Sequence, residues 1–239
     1  MGKIQIKIKE TVLIYLKKRL KNIVITKSLS RYIDTLDFIK EDRVVRSNYS
    51  LVTKDPKFSY QTPFSEIKLI KLLVDLIKAK NILEIGTFKG FTSGYLATSP
   101  SVKKVFTCEI DESNIKQAQK LWNSLKVTHK ITPLLGLATE SMQELIRSKK
   151  FFDLIYIDAN KNQYDSYFDL SLQLIENEGL ILIDNTLWAG LVAEKNTSFS
   201  HARLIDKLNK KIAKNNNCES VIIPAWDGLT IVKINKKIK

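Results

Sequence analysis

Four polar residues in the second half of the chain are of the right types and spacing for joint chemistry: Asp158, Lys161, Asp184 and Asn185. Two carboxylates and an amide oxygen make a hard oxygen donor set. Such a set suits Mg²⁺ and leaves positions for water or substrate oxygens. Lys161 follows Asp158 by three residues, and beside such a site it is the candidate general base. Singly, each has a structural reading: Asp158 can cap a following helix, and Asp184-Asn185 can cap a turn. As a set at two neighbouring strand ends they point to a divalent cation.

A second stretch is Asn81-Ile-Leu-Glu-Ile-Gly-Thr-Phe-Lys-Gly-Phe-Thr-Ser93. Ile82, Leu83 and Ile85 form a short apolar run suited to a buried strand. Gly86 and Gly90 punctuate a turn, and a helix begins at Phe91. Strand, glycine turn and helix N-terminus together cradle a polar ligand, because backbone N–H groups point outward and no side chain blocks approach. A dinucleotide fingerprint needs G-x-G-x-x-G. The spacing here is E-x-G-x-x-x-G, which argues against a nicotinamide oxidoreductase and resembles motif I of S-adenosylmethionine-dependent methyltransferases. Glu109 ends the next strand, where a carboxylate accepts two ribose hydroxyls. Small residues at Gly136-Leu137-Ala138 leave room for a flat adenine ring.

These residues need elements to place them. After two amphipathic helices within residues 1–50 (stripes Val12, Leu13, Leu16, Leu20 and Tyr32, Ile33, Leu36, Ile39) and a polar, turn-prone stretch Asn48–Pro63, a helix covers Phe64–Lys80. Strands are expected at 81–85, 102–109, 131–135, 152–157, 180–184, 220–223 and 229–234. Helices are expected at 112–125, 138–146, 164–174 and 202–213. Alternating β and α elements predict an α/β fold, a mostly parallel sheet with helices on both faces. The last two strands lie too close for a crossover and predict an antiparallel hairpin. Ligands of such sheets bind beyond the C-terminal strand ends, where Glu84-Ile-Gly86, Glu109, Gly136, Asp158 and Asp184-Asn185 all fall. The division expected is a helical appendage over 1–50, serving as lid or dimerisation element, and a catalytic domain over 51–239.

The chain has 239 residues, 44% of them hydrophobic, enough for a sizeable core. Its net charge of +14 is compatible with a polyanion partner such as RNA, but the lysines are scattered over surface-like positions. Cys108 and Cys218 match no metal or redox spacing, so a reduced, cytoplasmic setting is expected. No apolar run approaches the length of a membrane span.

Glu84-Ile-Gly86, Cys108-Glu-Ile-Asp111, Ile157-Asp-Ala-Asn-Lys161, Asp184-Asn-Thr-Leu-Trp188 and Trp226-Asp-Gly228 occur in order. Together they resemble the cation-dependent O-methyltransferases, the family of catechol and caffeoyl-coenzyme A O-methyltransferases and their bacterial relatives, over about residues 60–235. The resemblance implies a class I methyltransferase fold, a Rossmann-like three-layer sandwich with a seven-stranded sheet. It implies that Glu84, Gly86, Thr87, Gly90, Thr92, Glu109, Ala138 and Asp158 serve S-adenosylmethionine. It further implies that Asp158, Asp184 and Asn185 hold Mg²⁺, that Lys161 acts as base with Asp158 beside it, and that Trp188 walls the substrate side. The implied acceptor is a hydroxylated aromatic small molecule, and the implied assembly a homodimer. A hydroxyuridine of transfer RNA, the acceptor of some bacterial members, is the alternative. Asn160, Gln163, Ala189 and the loop Ser59–Pro63 depart from the family pattern and leave the acceptor open.

Overall fold

The computed structural model describes residues 27–38, 40–52 and 61–235. The chain divides into two compact units, Met1–Ile39 and Lys40–Lys239. In the first, helix α1 covers Lys27–Phe38. Its expected stripe is not a buried one: Tyr32 and Leu36 are 61% and 48% exposed. Ile39 and the stripe from Val12 to Leu20 lie outside the described residues.

The second unit opens with helix α2, Arg43–Val52. This corrects the reading of the stretch from Asn48 as polar and turn-prone. Val45, Asn48 and Val52 recur at helical spacing and are buried. The polar member is satisfied there, since Asn48 Nδ2 donates to Val44 O at 2.9 Å and Ser124 Oγ at 2.8 Å. Helix α3 is Phe64–Leu76, starting directly after Pro63. Its buried stripe is Ile67, Ile70 and Val74, and Glu66 is buried on the same side, four residues before Ile70.

The sheet has seven strands: β1 Asn81–Ile85, β2 Lys104–Glu109, β3 Ile131–Leu135, β4 Phe152–Ile157, β5 Ile175–Ile183, β6 Cys218–Ile223 and β7 Leu229–Ile234. Their spatial order is β3-β2-β1-β4-β5-β7-β6. Strands β1 to β5 are parallel, and β7 runs antiparallel between β5 and β6. The α/β class, the parallel core and the closing hairpin are as the alternation of elements predicts. Strand β5 starts five residues earlier than its apolar run, with Glu178 at φ 63° and a register shift against β4. A polar bulge of this kind has no period-2 pattern to betray it.

The connecting helices are α4 Phe91–Ala97, α5 Glu112–Ser124, α6 Ala138–Arg147, α7 Tyr164–Leu174 and α8 Ser200–Ala213. Side chains alternate across the sheet. Leu83, Ile85, Ile155, Ile157, Ile181 and Ile183 pack into one buried cluster with α6, α7 and α8 residues such as Met142, Phe168 and Leu208. The residues between them take the opposite face, so Glu84 stands beside Tyr156 in register. The chain leaves β1 toward β2 and β3, then returns to add β4 on β1's other side. The switch point therefore lies between β1 and β4, beyond their C-terminal ends. Among the described residues no helix is long and apolar enough to cross a membrane.

Candidate active site

At that switch point lies a cavity of about 920 Å³. Gly86, Thr87, Phe88, Thr92, Glu109, Ala138, Asp158, Lys161, Asp184, Asn185 and Trp188 all line it, so the structure gathers most of the predicted site residues around one space. Backbone bonding continues past the strand ends and sets their positions. Gly86 N and Thr87 N donate to Cys108 O at 3.1 Å, Asp158 N to Ile85 O at 2.9 Å, and Asp184 N to Ile157 O at 3.1 Å. Gly86 has φ +106°, and a Cβ there would stand 2.1 Å from Asp158 O. Only glycine lets the β1 turn lie against the β4 end so closely.

The Glu109 carboxylate is locked by three backbone donors. Phe88 N reaches Oε2 at 2.8 Å, and Ile110 N and Asp111 N reach Oε1 at 2.9 and 3.0 Å. It keeps lone pairs for hydroxyl donors in the cavity. Thr87 turns its hydroxyl inward to Cys108 O, so its backbone, not its Oγ1, faces a ligand.

Two predicted residues do not line the cavity. Glu84 is fully buried behind the turn and accepts from Thr107 Oγ1 through Oε2. Burial pushes its pKa up to about 8, against the opposing hydrogen bonds from Thr107 and Ser93. Gly90 (φ +74°) faces α5: Trp122 Nε1 donates to its carbonyl at 2.8 Å, and a Cβ would meet Ala118 Cβ at 2.4 Å. It fits helix packing under the turn.

Opposite the turn is the oxygen-rich end. Lys161 Nζ donates to Asp158 Oδ1 at 2.9 Å and to Tyr164 OH at 2.5 Å. Thr62 Oγ1 donates to Asp158 Oδ2 at 3.2 Å and lies 3.3 Å from Tyr156 OH, which donates to Asp184 Oδ2 at 3.4 Å. Asn185 N donates to Asp184 Oδ1, and Asn185 itself sits at φ 57°, a conformation asparagine tolerates better than most residues. Burial first, and the Asp158 charge second, raise the Asp184 pKa. Burial, then Asp184 and Asp158, raise that of Glu66 strongly. Burial with the same two charges keeps Tyr156 and Tyr164 as neutral donors.

A buried site in which the Asp158 charge raises the pKa of both Asp184 and Glu66 suits a cation that would neutralise it. Asp158, Asp184 and Asn185 are all oxygen donors with unused lone pairs, and on that chemistry they fit a hard divalent ion. Among the described residues no three His, Cys, Asp or Glu side chains form a group that could hold a metal ion by themselves.

Trp188, with Ala189 (φ 52°) and Gly190 (φ 81°), forms a kinked wall on the remaining side. Asp227 Oδ1 holds Ala189 N at 2.5 Å, and His201 meets the Trp188 ring edge-on at 5.3 Å between centroids. Trp226 also lines the cavity and donates from Nε1 to Ser65 Oγ at 2.9 Å. Backbone strain gathered around a cavity in this way is characteristic of ligand sites.

Glu66, Thr62, Tyr156 and His201 are site residues that the sequence reading missed. For Glu66 a signal existed. It occupies the third helical position after Pro63, where a glutamate normally reaches back to the N-cap amide, and proline has no such amide.

A glycine turn at the switch point, a locked carboxylate at the next strand end and an oxygen-rich wall define a methyltransferase that uses S-adenosylmethionine. Residues 38–235 match the model of the O-methyltransferase family. The chain is 35% identical over 179 residues to a probable caffeoyl-CoA O-methyltransferase 1 of Dictyostelium discoideum, covering 73% of this chain and 78% of that one. It is 29% identical over 226 residues to caffeoyl-CoA O-methyltransferase 2 of Petunia hybrida, covering 89% and 93%. The Streptomyces achromogenes O-methyltransferase TomG, solved with S-adenosylmethionine, superposes with a TM-score of 0.77 at 25% identity, over 87% of this chain and 96% of that one. The chain belongs to the O-methyltransferase family, whose caffeoyl-CoA-type members depend in general on a divalent cation.

Proposed function

We propose that this enzyme moves the methyl group of S-adenosylmethionine to a hydroxyl of a small catechol-like acceptor, with Asp158, Asp184 and Asn185 holding Mg²⁺. One observation carries the reading: the Asp158 and Asp184 strand ends and the Gly86 turn line the same cavity. The cofactor supplies an activated methyl on sulfur, and the cation lowers the pKa of a bound hydroxyl.

The chain's own residues do the rest. Glu109 accepts the ribose hydroxyls, and Gly86, Thr87 and Thr92 lie against the methionine end. Ala138, beside Gly136, lines the adenine. Trp188 presents an aromatic face, which attracts a sulfonium. Lys161 Nζ, in its neutral amine form, would receive the proton of the acceptor hydroxyl as the methyl group passes from the cofactor's sulfur to that oxygen. Holding acceptor and methyl in line accounts for about 7–11 kcal/mol of barrier lowering in favourable cases.

The net charge of +14 favours one rival acceptor, transfer RNA. Transfer of labelled methyl to a catechol panel and to total RNA decides between them, run with Mg²⁺, with excess chelator, and with Mg²⁺ restored. Label should enter the catechols, vanish in chelator and return with Mg²⁺. Full activity in chelator removes the cation from the reaction, and label confined to RNA replaces the acceptor.

A further inference from the structure

Glu66 is a buried carboxylate with no donor to satisfy it. The residue is 0% exposed, neither Oε1 nor Oε2 accepts a hydrogen bond, and the polar group it faces is another carboxylate, that of Asp184. Two carboxylates that face each other in a buried site are costly unless a proton or a cation lies with them. Helix capping does not account for Glu66: the N-cap is Pro63, and no side-chain cap bond forms. Nor is Glu66 packing filler, because it lines the cavity with Asp158, Asp184 and Asn185, and the charges of Asp184 and Asp158 act on it.

Among the described residues Glu66, Asp158 and Asp184 do not close into a three-carboxylate cluster. With its carboxylate against that of Asp184, Glu66 stands beside the donor set and not as a third direct ligand in it. Mg²⁺ keeps several of its waters in protein sites, and carboxylates one water away orient and tighten such sites.

We propose that Glu66 is the outer carboxylate of the cation site, a positioning residue that holds the ion through a bridging water and by its charge, without direct ligation. This rests on the reading that Asp158, Asp184 and Asn185 hold a divalent cation. It also gives a physical reason for a glutamate on the buried stripe of α3, four residues before Ile70.

The test is Mn²⁺ binding to the full chain, followed by the electron paramagnetic resonance of free Mn²⁺. S-adenosylhomocysteine-induced thermal stabilisation is measured in parallel as a check on the fold. Wild type should bind one ion. Glu66→Gln, which keeps shape and removes charge, should bind it about 10–100-fold more weakly, with the S-adenosylhomocysteine response intact. Equal Mn²⁺ affinity in Glu66→Gln and wild type overturns the inference and leaves the cation reading standing. Wild type that binds no Mn²⁺ overturns the cation reading and this inference with it. Should Glu66→Gln also lose the S-adenosylhomocysteine response, Glu66→Asp decides. Restored charge should recover Mn²⁺ affinity to within about tenfold of wild type, and Mn²⁺ binding as weak as in Glu66→Gln overturns the role.

Discussion

The two ends of the cavity are built differently. The turn end is made of backbone: Gly86 N and Thr87 N bond to Cys108 O, and three backbone amides from two loops pin Glu109. The oxygen-rich end is made of side chains from separate elements. Glu66 comes from α3, Tyr156 and Asp158 from β4 and its end, and Asp184 and Asn185 from the end of β5. Several of its contacts are long, at 3.2–3.4 Å. A backbone-built region has little to lose from side-chain truncation and much to lose from an added atom. A side-chain-built region has the reverse sensitivity, and its polar groups can exchange partners when a ligand arrives.

The sharpest way to break that contrast is to add one methyl group at the turn. In Gly86→Ala the new Cβ would meet Asp158 O at 2.1 Å and Asp158 C at 2.8 Å, both backbone atoms that cannot swing aside, at φ +106°. The expected loss is about 3 kcal/mol, a fall of roughly 6–12 °C in melting temperature for a chain of this size, and no stabilisation by S-adenosylhomocysteine. Gly136→Ala is the control. Its φ is +129°, but nothing lies within 4 Å, so only conformational strain of about 1 kcal/mol remains. Equal melting temperatures for the two variants would show that the close approach at Gly86 does not matter.

The next effect tests the titratable group buried behind the turn. The Glu84 pKa stands at about 8 in the folded chain against 4.5 for the ordinary side chain. Between those values the native state keeps a proton that the unfolded chain has released. Raising the pH therefore favours unfolding, by up to about 1.4 kcal/mol per pH unit. Glu84→Gln removes this contribution. Chemical denaturation from pH 5 to pH 8 should show the variant gaining on wild type steadily, with the gap levelling above pH 8. A difference that stays flat across that window would mean that Glu84 is ionised throughout.

The same contrast explains what was legible in the sequence. The turn end is nearly contiguous, and glycines between an apolar run and a helix declare a backbone cradle without help from the rest of the chain. Asp158 and Asp184 were legible because each directly follows an apolar strand, and parallel strands bring their ends together. Glu66 was not, because a glutamate in a first helical turn normally answers the helix dipole, and only tertiary packing turns it inward. Gly90 looked like part of the cradle, yet the structure turns it toward Ala118 and Trp122, a distinction of orientation that spacing does not carry. Helix α2 was hidden by Asn48, whose polarity is cancelled by Val44 and Ser124, the latter 76 residues away.

The smallest effect lies where the side-chain-built end meets solvent. Trp226 is 38% exposed, and its Nε1 donates to Ser65 Oγ at 2.9 Å, tying the turn before β7 to the first turn of α3, next to Glu66. Trp226→Phe keeps the ring and removes the donor. One hydrogen bond open to solvent is worth about 0.5–1 kcal/mol, so stability should change little. The S-adenosylhomocysteine response should not change, because the turn end takes no support from Ser65. If Trp226 helps to shape the acceptor side, KM for the acceptor should rise by up to about fivefold while kcat holds, as expected for a contact made equally in ground and transition states. A fall in kcat at constant KM would instead tie the Ser65–Trp226 bond to the aligned geometry, and would extend the reacting end of the cavity to the turn before β7.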